Sequence, residues 1–104
     1  SKNLVHFVAD LRKEFAVKNL PFIVGELGNG GEAKSGSGMA KFRIAQNEGV
    51  KKIEQAWLTS TKEFSRPPEL SPNIGHGHHW YGNAESYFLI GDALAREMIR
   101  ALNR

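Results

Sequence analysis

Leu4, Val5, Phe7, Val8, Leu11 and Phe15 recur at the three- and four-residue intervals of one helix face, with Asp10, Arg12, Lys13 and Glu14 between them. That spacing predicts an amphipathic helix over about residues 2–16. Lys18-Asn19-Leu20-Pro21 ends it, and Phe22 to Leu27 reads as a short buried strand between a proline and a glycine. A second helix is expected from about Met39 to Glu48, with Met39, Phe42, Ile44 and Ala45 available for burial. After Gly49 and Lys51-Lys52, Ala56 to Thr61 reads as a second strand. A long loop containing Pro67, Pro68 and Pro72 leads to a final helix over about residues 84–102, with Tyr87, Phe88, Ile90, Leu94, Met98, Ile99 and Leu102 as its apolar face. Asn83 is its expected N-cap, because the side-chain oxygen can accept an orphaned amide of the first turn. Gly91 inside this helix costs about 1 kcal/mol against alanine, so close packing against a neighbour is expected there.

The order α-β-α-β-α, with crossovers long enough for parallel strands, is that of an open α/β sheet covered by helices on both faces. Two strands make a poor sheet by themselves. Residues 1–104 therefore read as a single unit, the trailing half of a doubly wound domain. The start at Ser1-Lys2, without an initiator methionine, fits a piece processed or excised from something longer.

Composition narrows the function classes. The chain is 40% hydrophobic and 24% charged, which is ordinary for a globular protein. Its apolar runs are too short to cross a bilayer, and no signal peptide opens it, so no membrane partner is expected. The absence of cysteine removes disulfides, thiol catalysis and cysteine-ligated zinc, without assigning a compartment. The net charge is only +3, and Arg96, Arg100 and Arg104 repeat every four positions like a solvated helix face. A nucleic-acid surface needs a clustered basic stripe with readers beside it, so no nucleic-acid partner is expected.

Residues 28–38 hold five glycines and two serines and form a loop. Gly28-Asn29-Gly30-Gly31-Glu32-Ala33 fits a dinucleotide-binding spacing, with Glu48 twenty residues on, but Glu48 falls at a helix end rather than at a strand tip. Gly28 to Ser35 also imitates a phosphate-binding loop. Gly36 and Gly38 interrupt the helix turn such a loop requires, and Glu32 sets a carboxylate where phosphate would lie. A surface loop is the better reading.

The densest chemistry lies at Gly75-His76-Gly77-His78-His79-Trp80-Tyr81, which holds three of the four histidines of the chain. Histidine changes charge near neutral pH and so serves as a proton shuttle or a metal ligand. A small metal-binding module built on His76, His78 and His79, with His6, Glu63 or Glu69 contributing from a distance, is one reading. Proton transfer is the other. Ligands of open α/β sheets sit at the carboxyl ends of the strands. Glu26 lies near the tip of the first strand, Glu63 just past the tip of the second, and the histidine loop follows that second tip. A carboxylate and a histidine meeting there form the base half of a nucleophile-histidine-acid system.

Pro21-Phe-Ile-Val-Gly-Glu-Leu-Gly28, Phe42-Arg43-Ile-Ala-Gln46, Thr61-Lys-Glu-Phe-Ser-Arg-Pro67 and His79-Trp-Tyr-Gly-Asn-Ala-Glu-Ser-Tyr-Phe-Leu-Ile-Gly91 occur in sequence. In that order they resemble the C-terminal portion of the sialate O-acetylesterase and acetylxylan esterase-like domains of the SGNH-hydrolase superfamily. The resemblance runs across most of the chain. It implies a flavodoxin-like three-layer α/β/α fold, hydrolysis of acetyl esters on carbohydrates by a serine nucleophile and a histidine base, no cofactor, and a secreted or periplasmic setting. By position, His79 is the implied base, with adjacent His78 as its rival. The superfamily places an aspartate three residues before its histidine, and here that slot holds His76. Glu63 and Glu26 thus remain the candidates for the orienting acid. The nucleophile and oxyanion motifs of the family, found in its first half and middle, have no counterpart in these residues. Ser37, between Gly36 and Gly38, imitates a nucleophile turn but belongs to the glycine loop. The chain alone is therefore expected to be inactive, to need a complementary N-terminal segment, and to self-associate through an exposed sheet edge and an uncovered helix face.

Overall fold

The computed structural model describes residues 2–104. It is a mixed α/β structure with a small parallel two-stranded sheet. Helix α1 spans Lys2–Glu14, strand β1 Phe22–Gly25, helix α2 Gly38–Val50, strand β2 Ala56–Thr59 and helix α3 Ala84–Leu102. The strands are each two residues shorter than their apolar runs: Glu26 N still donates to Thr59 O, but beyond it Leu27 bonds to side chains of α2 and Glu26 O accepts from the Thr61 hydroxyl. The long loop is not featureless: it carries short 3-10 turns at Lys62–Phe64, Pro68–Leu70 and Gly77–Gly82.

Phe22 pairs with Ala56, Ile23 with Trp57, Val24 with Leu58 and Gly25 with Thr59. Alternation along a strand sends neighbouring side chains to opposite faces. On one face, the Phe22 ring meets Phe7 of α1 edge-on at 6.0 Å, and Val24 shares a cleft with Leu4 of α1 and Phe42, Ala45 and Gln46 of α2. On the other face, a β-carbon on Gly25 would touch Leu94 of α3 at 3.6 Å. The Arg104 guanidinium lies 4.6 Å over the Trp57 ring on that same side. Helices α1 and α2 thus cover one face of the sheet and α3 the other.

Arg12 of α1 ties the entry ends of both strands. Its Nη2 donates to Leu20 O at 2.8 Å and to Glu54 O at 2.7 Å, and its Nε donates to Leu20 O at 3.1 Å. Helix α1 closes with Val17 N donating to Arg12 O and Ala16 N to Lys13 O, and Ala16 sits at φ 53°. This is a Schellman closure with alanine in the left-handed slot that glycine normally fills.

Burial is sparse. Among the described residues only Val8, Val50 and Ala101 are buried hydrophobics. The radius of gyration is 15.1 Å, against about 13 Å for a closed domain of this length. Two expectations fail for this reason. Phe42, Ile44 and Ala45 of α2 are exposed rather than buried, and the apolar face of α3 divides: Ile90, Leu94 and Met98 turn inward while Tyr87, Phe88, Ile99 and Leu102 are exposed. Gly91 also departs from expectation, since a β-carbon there would meet nothing within 4 Å.

Candidate functional site

Beyond the last ladder bond, the carboxyl ends of both strands are held by side chains. The backbone around Glu26 is bonded on every side. Glu26 N donates to Thr59 O at 2.8 Å, and Thr61 Oγ1 donates to Glu26 O at 2.7 Å. From α2, Arg43 Nε donates to Leu27 O at 2.6 Å, Gln46 Oε1 accepts from Leu27 N at 2.9 Å, and Gln46 Nε2 donates to Gly25 O at 3.4 Å. Arg43 and Gln46 lie three apart on one helix face, which lets both reach the same extended segment. Gly28 completes this clamp. A β-carbon there would fall 2.5 Å from Lys62 N and 2.6 Å from the Thr61 carbonyl carbon, so only glycine permits the approach.

The two candidate acids come together. Ser60 Oγ lies 3.2 Å from Glu26 Oε1 and 3.1 Å from Glu63 Oε2. A hydroxyl carries one proton, so Ser60 donates to one carboxylate at a time. Beside them, Lys62 Nζ pairs with Glu32 at 2.9 Å. That hydrogen bond, then the Glu32 charge and to a smaller extent the Glu26 charge, hold the ammonium above the ordinary lysine range. Glu32 is thereby tied to the turn that follows β2.

The histidine loop is anchored to the same end of the sheet through the start of α3. Asn83 caps α3 as its sequence position predicts, accepting from Ser86 N at 3.1 Å, while its amide donates to Ser71 Oγ at 3.0 Å. Ser86 Oγ donates to Phe64 O at 2.6 Å. Arg66 forks onto Glu85, Nε to Oε2 at 3.1 Å and Nη2 to Oε1 at 3.0 Å. The Arg66 hydrogen bond and charge hold the Glu85 carboxyl below the ordinary carboxylate range.

Within the loop, Trp80 (φ 54°), Tyr81 (φ 53°) and Gly82 (φ 65°) are three successive left-handed residues. For a side chain larger than hydrogen this conformation costs about 1–2 kcal/mol per residue. Tyr81 N donating to His76 O, Asn73 N to Tyr81 O and Asn83 N to Trp80 O, each at 3.0 Å, hold it in place. Gly77 accommodates the Tyr81 ring, which would lie 3.1–3.2 Å from a β-carbon there. Strained backbone of this kind concentrates at functional sites.

The turn sends Trp80 into a cleft of about 290 Å³ that it shares with Glu26, Gly28, Thr61 and Ile90. His76, His78 and His79 are all exposed. The rings of His78 and His79 are 4.2 Å apart, with His76 stacked on them at 5.7 and 6.3 Å. Among the described residues no group of three histidine or acidic side chains could hold a metal ion. No hydrogen bond joins His79 to Glu26 or Glu63; its carbonyl accepts from the Tyr87 hydroxyl. The structure thus gathers both carboxylates on Ser60 and places Trp80, the residue after His79, in the cleft that Glu26 also lines. Ser37 is neither buried in a site nor bonded to these groups: it N-caps α2, accepting from Ala40 N at 3.2 Å. Set against family models, curated proteins and solved structures, the chain matches none.

Proposed function

We propose that this chain is the histidine-bearing C-terminal part of a serine carbohydrate esterase of the SGNH-hydrolase superfamily, one that removes O-acetyl groups from sugars. In this reading the two strands and three helices are the trailing part of a flavodoxin-like three-layer α/β/α domain, completed by an N-terminal segment that pairs with the free edge of the sheet. The observation that carries the reading is spatial. Four sequence landmarks, spread from Pro21 to Gly91, meet at the carboxyl ends of the strands through their own side chains: Glu26 and Gly28, Arg43 and Gln46, Thr61 and Arg66, then Asn83, Glu85 and Ser86. The residues just named supply the hydrogen bonds and the close contact that gather these segments, which supports the reading.

The chemistry follows from placement. The serine hydroxyl, supplied by the N-terminal segment, adds its oxygen to the acetyl carbonyl carbon and passes its proton to a ring nitrogen of His79. The imidazolium returns that proton to the departing sugar oxygen, leaving an acetyl-serine. Water then repeats the two transfers and releases acetate. Glu26 is the favoured orienting acid, because Trp80, next to His79, already lines the cleft that Glu26 occupies. Glu63 shares Ser60 with it and keeps that hydroxyl between the two carboxylates.

The test is hydrolysis of an aryl acetate by the chain alone and after addition of an N-terminal segment carrying a Gly-x-Ser strand-to-helix turn. Activity only in the mixture supports the proposal. Strong activity of the lone chain, abolished by Ser37→Ala, overturns it.

A further inference from the structure

We propose that the outward face of α3 is a self-pairing surface, on which a second copy of the chain docks antiparallel about a two-fold axis at the level of Ala93. The face consists of Ala84, Phe88, Gly91, Ala95, Ile99 and Leu102, at the three- and four-residue steps of one helix stripe, and every one of them is exposed. Phe88 is 73%, Ile99 60% and Leu102 66% accessible. No polar side chain interrupts the stripe. Gly91 lies at its centre with nothing within 4 Å of its β-carbon position, so no contact inside the chain explains a glycine in the middle of a nineteen-residue helix.

A second copy supplies what is missing. An antiparallel partner centred at Ala93 sets Gly91 against Ala95, Phe88 beside Ile99, and Ala84 against Leu102, with small residues facing each other at the crossing and apolar contacts toward both ends. Small residues at the crossing let the two axes approach closely. The charges match as well. Asp92 and Arg96 flank the stripe on the same side and pair within the helix at 2.7 Å. The two-fold axis brings Asp92 of each copy beside Arg96 of the other, so the Asp92–Arg96 pair forms twice across the interface. A residue stripe complementary to its own reverse is the requirement of an isologous interface. One helix pair buries less than a standard interface, so the dimer dissociates on dilution. The pairing rests on α3 alone and does not depend on the esterase reading.

Sedimentation velocity over a range from low micromolar to low millimolar chain tests it. Wild-type chain is expected to shift from monomer to dimer, and Ala95→Glu, which places a charge at the exposed crossing point, to stay monomeric. Asp92→Arg is expected to weaken the dimer at least tenfold, and Asp92→Arg combined with Arg96→Asp to recover it. The chain has no cysteine, so Gly91→Cys and Ala95→Cys report orientation independently of stability. When mixed and oxidised, the two variants join to each other in preference to themselves if the copies run antiparallel. A wild-type monomer throughout, self-association unchanged in Ala95→Glu, or Gly91→Cys chains joining among themselves with no mixed product would each overturn the proposal.

Discussion

Gly28 and Thr61 are in contact with no room for a methyl group between them. The loop leaving β1 and the loop leaving β2 meet there, and Thr61, only 2% accessible, donates to Glu26 O across the junction. Everything at the candidate site is referred to this contact, since Glu26 precedes it by two residues and Glu63 follows it by two.

Gly28→Ala is therefore expected to destabilise the chain by about 1–3 kcal/mol through overpacking against backbone that has no freedom to retreat. Thr61→Val, which keeps the shape and removes the donor, is expected to cost about 1–3 kcal/mol by leaving Glu26 O without its partner. Urea denaturation midpoints measure both. An unchanged midpoint for Gly28→Ala would show that the two loops are not clamped.

At the opposite end of the sheet, Ala16, two residues past the end of α1, occupies a left-handed position at φ 53°. Ala16→Gly is expected to stabilise the chain by up to about 1 kcal/mol, the relief of the β-carbon penalty outweighing the added freedom of the unfolded chain. A rise in the thermal midpoint is the predicted sign, and a fall would show that Ala16 is not strained.

The Arg66–Glu85 pair gives a pH dependence. Hydrogen bonding to Arg66 lowers the Glu85 pKa in the folded state. A depressed carboxyl stabilises the fold at pH values above its unfolded pKa, about 4, and that contribution disappears as the pH falls through the folded value. Glu97 behaves alike, held down by Arg100 and then Arg104. Stability should thus decline on acidification, and Glu85→Gln should remove part of that decline while leaving acid stability itself unaltered. Denaturation midpoints followed from neutral to strongly acidic pH in both proteins give the comparison; parallel curves would sink it.

Should the proposed N-terminal segment restore esterase activity, His79→Ala is expected to lower the turnover number by about 10⁴-fold or more, as loss of a triad base does, and His78→Ala by less than about tenfold. Paired kinetics on an aryl acetate decide between the two rings. The reverse order would move the base to His78.

Legibility in the sequence follows the strength of the local signal. Helices α1 and α3 are plain because their apolar residues repeat over three or more turns, and Asn83 declares its cap by its place before the first turn. The strand tips read too long because Glu26-Leu27 and Ser60-Thr61 have strand-like neighbours but direct their hydrogen bonds to Arg43, Gln46 and one another, a tertiary choice invisible in a window of residues. Ser60 escapes a sequence reading for the same reason, since its meaning lies in two carboxylates that approach from different strands. The left-handed Trp80-Tyr81 pair has no local signature at all, bulky aromatics being the residues least expected there. The apolar run of α3 reads as one face when it is two, because periodicity counts apolar positions without saying which have anything to pack against.

Arg12, among the strand entries, has an effect reaching well beyond its own helix. With its guanidinium fastened to Leu20 and Glu54 below, and Thr61 locked against Glu26 above, each four-residue strand is stapled at both extremities by side chains. Neither can creep along its neighbour, although a ladder so brief would offer little resistance to sliding. A third strand of the proposed complete domain, laid alongside, would thus meet a template whose phase is already set.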